Sequence, residues 1–392
     1  MKYDFDKHID RRNTHSMKWD IYGGEYLPLW VADSDFPVPP AVINRIQKRV
    51  EHPFFGYFLN DTEIKNVIKD WFIRRFNAGA VENEWIVPVP GIVPALMCAS
   101  NIGGGRSMAC TPNYCCLLTA PGKAGNEMIR VPLIKKTVFS GQKEAEEGTS
   151  CEKYFMDFEK LQECVTEDTK IFYLCNPHNP VGRVYSRKEL LEVSEFAERN
   201  GLIVVSDEAH CELVFEGAHI PFFTVSEYAR NNSITLYSNG KTYNVPDLIF
   251  SFEVIPNEDL RKEFNRVAYA LGDIHSLNVE TGIASFGESD EWREQLLEYL
   301  RGNRDFLEKE IKERFPKAKF PHVEATYLMW VDLSAYGTDI NASFFRKKAG
   351  IMFTDGTDFG DPARIRINFA TQKAVLEEAL EKMSKALKDR LD

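Results

Sequence analysis

Apolar positions along the chain follow two kinds of pattern. Ile64, Val67, Ile68, Trp71 and Phe72 recur at i, i+3, i+4, i+7 and i+8, the stripe of a helix with one face on a core. Leu190, Leu191, Val193 and Phe196 form a second stripe behind Ser186-Arg187-Lys188-Glu189, whose serine and glutamate have capping-box spacing. The other pattern is short, unbroken and rich in branched residues: Ile171 to Cys175, Leu202 to Ser206 and Ile234 to Tyr237. Such runs suit strands buried on both faces of a parallel sheet. The capped helix between the first two completes a βαβ unit. Toward the C-terminus, charged amphipathic stretches (Glu291 to Phe315, Gln372 to Lys388) flank the apolar segments Tyr327 to Val331 and Ile365 to Phe369. The pattern predicts an α/β fold with a mostly parallel central sheet and a smaller C-terminal α+β domain. The boundary falls near Phe286 to Asp290, giving an N-terminal segment 1–50, a large domain 51–285 and a small domain 286–392.

Composition excludes several functions. The 392 residues are 44% hydrophobic and 27% charged, ordinary for a globular protein. With 48 basic against 59 acidic residues the net charge is −11, which argues against nucleic acid or an anionic membrane as partner. The first residues, Met1-Lys2-Tyr3-Asp4-Phe5-Asp6-Lys7, lack the apolar stretch of a secretory signal. The uncharged run Trp85 to Gly105 is interrupted by Pro88, Pro90, Pro94, Gly91 and Gly103 to Gly105, so it does not read as a membrane helix. Eight cysteines, six scattered and Cys115-Cys116 adjacent, offer neither a disulfide framework nor metal-ligand spacing. Free thiols in a reducing cytoplasm are expected. The polar stretch Gln142 to Cys151 reads as a surface loop.

Each of the three strand-like runs ends in an abrupt polar turn: Asn176-Pro177-His178-Asn179, Asp207-Glu208-Ala209-His210 and Ser238-Asn239-Gly240-Lys241. Ligands of open α/β sheets bind beyond the carboxyl ends of the strands, so Asn, Asp and Lys arrive at one rim. Ser238 and the turn around Gly240 can cradle a phosphate through a hydroxyl and backbone N–H groups. Asp207 in a dry crevice needs a cationic partner, and a protonated pyridine nitrogen is one. A lysine able to condense with an aldehyde, an acid for a pyridinium and a phosphate cradle together specify pyridoxal 5′-phosphate. His178 sits in two back-to-back turn signals, and Gly103-Gly104-Gly105 is a loop, not a dinucleotide fingerprint.

Asn176-Pro177-His178-Asn179-Pro180-Val181-Gly182-Arg183, Ser206-Asp207-Glu208-Ala209-His210 and Ser238-x-x-Lys241-Thr242-Tyr243-Asn244 resemble fold-type I pyridoxal-phosphate enzymes. The resemblance is nearest to the MalY/PatB group of cystathionine β-lyase-like C–S lyases. It extends through Asp4-Phe5-Asp6, Ile9-Asp10-Arg11-Arg12, Lys18-Trp19-Asp20, Trp30-Val31-Ala32-Asp33-Ser34-Asp35-Phe36-Pro37, Phe55-Gly56-Tyr57, Pro90-Gly91-Ile92-Val93-Pro94 and Arg364-Ile365-Arg366-Ile367-Asn368-Phe369-Ala370. It implies an aspartate-aminotransferase-like fold with a large cofactor-binding domain. It also implies that Lys241 joins the cofactor aldehyde and later acts on the Cα proton. Asp207 would keep the ring nitrogen protonated, Asn179 would donate to the ring's phenolic oxygen, and Tyr114 would stack on the ring. Gly91, Ile92, Val93 and Ser238 would hold the phosphate, joined by Tyr57 from the other subunit of a homodimer. Arg366 would clamp the substrate carboxylate, with Asn179, Asp33 and Ser34 lining the substrate side. His210 is open between a packed or ring-contacting side chain and an acid or base.

Some positions depart from the resemblance. Lys241 is followed by Thr242-Tyr243-Asn244-Val245-Pro246-Asp247 where Thr-Phe-Asn, a branched residue and Ala-Gly are usual. Gly240 replaces a common serine, Ser34 a methionine, and Thr354-Asp355-Gly356 the usual Asn-Pro-Gly. The cofactor pattern is kept and the substrate pocket altered. The expected activity is α,β-elimination on an L-cysteine-derived amino acid such as cystathionine, cysteine or an S-conjugate, giving thiol, ammonia and pyruvate. The alternatives are an aminotransferase and a regulatory protein with a vestigial cofactor pocket.

Overall fold

The three branched runs form the centre of one sheet. The computed structural model describes residues 2–59, 62–79, 81–139 and 150–390. Among these residues, the sheet comprises β1 (Ile86–Val89), β2 (Arg106–Thr111), β3 (Met128–Pro132), β4 (Thr169–Cys175), β5 (Ile203–Asp207), β6 (Ser233–Ser238) and β7 (Ser251–Val254). Their spatial order is β1-β7-β6-β5-β4-β2-β3. Only β7 runs antiparallel to its neighbours. Strands β4, β5 and β6 are therefore adjacent and parallel, so their carboxyl ends open on the same edge.

The apolar runs are unbroken because both faces are covered. On one face Phe172, Leu174 and Val204 pack with Leu190, Val193 and Phe196 of the helix Arg187–Asn200. That helix opens with the expected capping box: Ser186 Oγ accepts from Glu189 N, and Glu189 accepts from Ser186 N. Such a cap contributes about 1 kcal/mol. On the other face Ile171, Tyr173, Val205, Ile234 and Leu236 meet Ala95, Leu96 and Ala99 of the helix Ile92–Ser100. A third cluster includes Ile64, Ile68, Trp71 and Phe72 of the helix Thr62–Phe76 and reaches the C-terminal part.

There a three-stranded antiparallel sheet has Arg364–Asn368 at its centre, between Leu328–Asp332 and Thr354–Asp355. The helices Asp290–Arg314 and Lys373–Ala386 accompany it. The N-terminal segment joins this part, because Leu27–Pro28 pairs in parallel with Ile351–Met352 and Asn368 N donates to Leu29 O. The expected loop at 142–151 requires a correction at its end. Residues 142–149 lie outside the described residues, but Ser150 and Cys151 belong to the strand Ser150–Phe155, paired with Ile134–Phe139. Among the described residues, no helix is long and apolar enough to cross a membrane, and no group of three or more His, Cys, Asp or Glu could hold a metal ion.

Candidate active site

The rim of β4, β5 and β6 gathers the residues that the strand-end pattern singled out. Asp207 ends β5 and is buried, with one carboxylate oxygen accepting from Ala209 N at 3.1 Å. Burial is the main reason its carboxyl is pushed up to about 6, and Lys241 opposes the shift. The neighbouring Glu208 fixes this strand end. Its carboxylate accepts from Ser206 Oγ (2.9 Å), Phe222 N (2.9 Å), Tyr237 Oη (2.6 Å) and His219 Nε2 (2.7 Å).

Lys241 follows β6, and its amine donates to Ala32 O at 2.8 Å. Burial, with the cation of Arg366, brings that amine down to about 8, although Asp33 and Asp207 pull it upward. An amine lowered in this way is more readily neutral, as condensation with a carbonyl requires. Gly240 has a local explanation: a β-carbon there would lie 2.9 Å from Ile249 Cδ1. The family's serine is absent where Ile249 fills the space. Pro246 and Asp247, the other departures in this loop, face solvent.

Arg366 reaches the rim from the centre of the C-terminal sheet. Its guanidinium donates to Asn179 Oδ1 (3.1 Å), Trp30 O (3.1 Å) and Thr354 Oγ1 (3.2 Å), and lies 4.7 Å over the ring of Phe359. Burial lowers it to about 10. Because Asn179 accepts through Oδ1, its amide N–H groups remain the donors it can offer a ligand. Thr354 thus takes part in holding Arg366, a role that Asn could also fill. The sequence marked Thr354 only as a departure and gave no sign of Phe359.

Tyr114 caps the helix Cys115–Lys123 and packs against the cluster containing Val205 and Ala209. Burial holds its phenol well above the ordinary range, and Asp207 is among the charges that raise it. His178 is a buried brace: Nε2 donates to Pro112 O at 2.9 Å, so Nδ1 accepts from Tyr185 Oη at 2.8 Å. Burial draws it down to about 4, which keeps it neutral. It ties the Asn179 turn to the segment leading to Tyr114. His210 is buried edge-on to Tyr327 at 6.0 Å between ring centroids. Burial and the cations Lys241 and Arg366 press it down to about 3, which keeps it neutral.

Two residues expected on the substrate side are held by the protein. The carboxylate of Asp33 pairs with Arg11 Nη2 at 2.9 Å and Lys18 Nζ at 3.6 Å, and its charge acts on Lys241. Ser34 is buried and held through its backbone, N to Asn244 Oδ1 and O to Asn244 Nδ2. Tyr57 is fully exposed at 107%, within an exposed run that includes Phe54, Phe55 and Leu59.

These residues fit pyridoxal phosphate on structural grounds. Ser238 Oγ and His210 Nδ1 are buried without a hydrogen-bond partner among the described residues, and buried polar groups need partners. Among the described residues, Asp207 forms no ion pair, and Lys241 reaches it only through its charge. Gly91, at φ +130°, starts the helix Ile92–Ser100, whose first N–H groups, those of Ile92 and Val93, have no acceptor within the helix. Only glycine adopts that backbone conformation readily. The group would set its phosphate at Ser238 and this helix start, its ring nitrogen at Asp207 and its aldehyde at Lys241.

Comparison with known proteins gives the same class. The aminotransferase class I and II family matches residues 97–383, and the chain belongs to it. Among individual relatives, cystathionine beta-lyase PatB of Bacillus subtilis (strain 168) is 31% identical, covering 98% of this chain and 99% of that protein. The PLP-bound C–S lyase from Staphylococcus hominis superposes with a TM-score of 0.89 at 32% identity, covering 99% of this chain and 98% of that one. Cystalysin from Treponema denticola, which contains a pyridoxal 5′-phosphate cofactor, gives 0.90 at 30%, covering 99% and 100%.

Proposed function

We propose that this chain is a pyridoxal-phosphate-dependent C–S lyase that carries out α,β-elimination on an L-cysteine-derived amino acid, releasing thiol, ammonia and pyruvate. The supporting observation is the convergence of Asn179, Asp207 and Lys241 from three adjacent strand ends on one rim, with Arg366 bonded to Asn179. When bound, the cofactor supplies a cationic ring that accommodates the electron pair left as the Cα proton departs. With the cofactor bound, Lys241 would hold its aldehyde carbon, and the lysine amine, once released, would take the proton from Cα. Asp207 would keep the proton on the ring nitrogen, because its low-dielectric position favours pairing with a cation. Arg366 would bind the substrate carboxylate, while Asn179, which accepts from that guanidinium, would donate to the ring's phenolic oxygen. Tyr114 would cover one face of that ring.

The exposed apolar run Phe54 to Leu59 is suited to a second copy of the chain, because contiguous apolar surface marks an interaction site. Tyr57 of that copy would complete the phosphate site of a homodimer.

The test is incubation with L-cystathionine and a panel of cysteine S-conjugates. Purified protein should be yellow and should release pyruvate and thiol without any added keto acid. Lys241→Ala should lose both the colour due to covalent attachment and turnover. Dependence on a keto-acid acceptor would identify an aminotransferase instead.

A further inference from the structure

Between Leu27–Pro28 and the helix Pro40–Glu51 the chain crosses the site without forming a strand. Its carbonyls are nevertheless all engaged by side chains from Trp30 to Phe36. Trp30 O accepts from Arg366 and Thr354, Val31 O from Asn368, and Ala32 O from Lys241 and Tyr327. Asp33 O accepts from Lys18 and Asn368, Ser34 O from Arg11 and Asn244, Asp35 O from Gln372, and Phe36 O from Asn244. Irregular backbone is ordinarily satisfied by water at a surface. Here it is a strap spelled out by side chains, and two of its donors are the amine and the guanidinium of the proposed site. They rest on carbonyls two residues apart.

Two asparagines pin this strap. Asn244, three residues after Lys241, grips it at Ser34 N (3.0 Å), Ser34 O (3.0 Å) and Phe36 O (2.8 Å). Asn368, two residues after Arg366, grips it at Val31 O and Asp33 O, both at 2.6 Å. An amide offers donor and acceptor on one planar group, so it can pair with backbone as another peptide would; a carboxylate cannot. Asn244 also sits at φ +56°, a left-handed conformation that asparagine tolerates better than most side chains.

We propose that Asn244 and Asn368 are positioning residues that register Lys241 and Arg366 against one common strap, setting the separation between the base and the carboxylate anchor. This rests on the lyase reading of the site. An α-amino acid must present its carboxylate to Arg366 and its Cα proton to Lys241 at once. The spacing of those two groups therefore selects substrates in which carboxylate and reacting carbon are directly bonded. Slack on the Asn244 side misplaces the base after binding, whereas slack on the Asn368 side weakens the grip on the carboxylate.

Asn244→Gly removes one pin while keeping the backbone conformation, and Asn368→Ser shortens the other. With L-cystathionine, Asn244→Gly should lower kcat about tenfold with KM within about twofold, and Asn368→Ser should raise KM about tenfold with kcat nearly kept. In cofactor-free protein, hydrogen exchange of the amides of residues 31–36 should quicken in both variants, while the central sheet stays protected. If Asn244→Gly fails to fold, Asn244→Asp, which loses both donor bonds, carries the same test. Unchanged exchange in the strap, or identical proportional losses in kcat and KM in the two variants, overturns the proposal. Wild-type protein that releases no pyruvate defeats the lyase reading; active wild-type protein with indifferent variants defeats the strap alone.

Discussion

Replacing Asp207 with Asn should make the cofactor-free protein more stable and the loaded protein useless. The side chains are nearly isosteric, and Asn keeps an oxygen to accept from Ala209 N. What changes is ionisation. Burial raises the carboxyl of Asp207 from the ordinary 3.8 to about 6. A carboxyl raised on folding stabilises fully below the unfolded value, and its contribution is lost as pH climbs through the folded one. The gap of roughly two pH units, at about 1.4 kcal/mol each, amounts to about 3 kcal/mol. The advantage of Asp207→Asn should therefore grow from about 1 kcal/mol at pH 4.5 to about 3 kcal/mol at pH 8. Urea unfolding of both cofactor-free proteins at the two pH values measures it directly. Adding the cofactor should reverse the order, because its ring cation pairs with the carboxylate of the wild type alone. Equal stabilities at pH 8, or a gap that does not widen between the two pH values, would refute the account of Asp207 as a dry acid waiting for a cation.

Other substitutions probe separate parts of the site and core. Arg366→Lys keeps the charge but loses the fork that meets Asn179, Trp30, Thr354 and a substrate carboxylate; KM for carboxylate substrates should rise about 10- to 100-fold, the range of about 1.5–3 kcal/mol for a charged hydrogen bond, and an unchanged KM would remove it from the site. Glu253 is buried on β7 with neither carboxylate oxygen bonded among the described residues, and burial raises its pKa well above the usual range. Glu253→Met should stabilise the protein by about 1–3 kcal/mol, with a gap that increases with pH for the sign reason given for Asp207; thermal melts at pH 5 and 8 would expose the opposite trend. Tyr57→Ala should lose cofactor on dilution, and refolding it together with Lys241→Ala subunits should restore activity through hybrid dimers; if mixing restores nothing, Tyr57 does not serve a partner's site.

Much of the site was legible because the chemistry lies at strand ends. The runs before Asn176, Asp207 and Ser238 announced buried parallel strands, and the polar turn after each announced the rim. Residues that act through backbone were harder to read. Lys241 and Tyr327 meet at Ala32 O, more than 200 positions from either, and no periodicity encodes which carbonyl a distant side chain will find. The protein partners of Asp33 were likewise not legible in its motif. Its partners Arg11 and Lys18 lie in the same stretch of chain, and their approach to it depends on the fold. His178 looked like part of a turn, and its burial between Pro112 and Tyr185 follows from the neighbouring strand β2 ending at Thr111.

The tract Thr354-Asp355-Gly356 leaves unequal freedom to evolutionary drift. A β-carbon on Gly356 would fall 2.1 Å from Asp361 O and 2.4 Å from Arg364 O, both backbone atoms that cannot swing aside. Thr354 needs to present a polar group that accepts from Arg366 and donates to Trp30 O, and Asp355 to cap the short turn at Thr357 N. Lineages can therefore exchange the first two letters and retune how the anchor is held. The third is fixed by the absence of room, and a mutational scan of the tract should find no replacement of Gly356 tolerated.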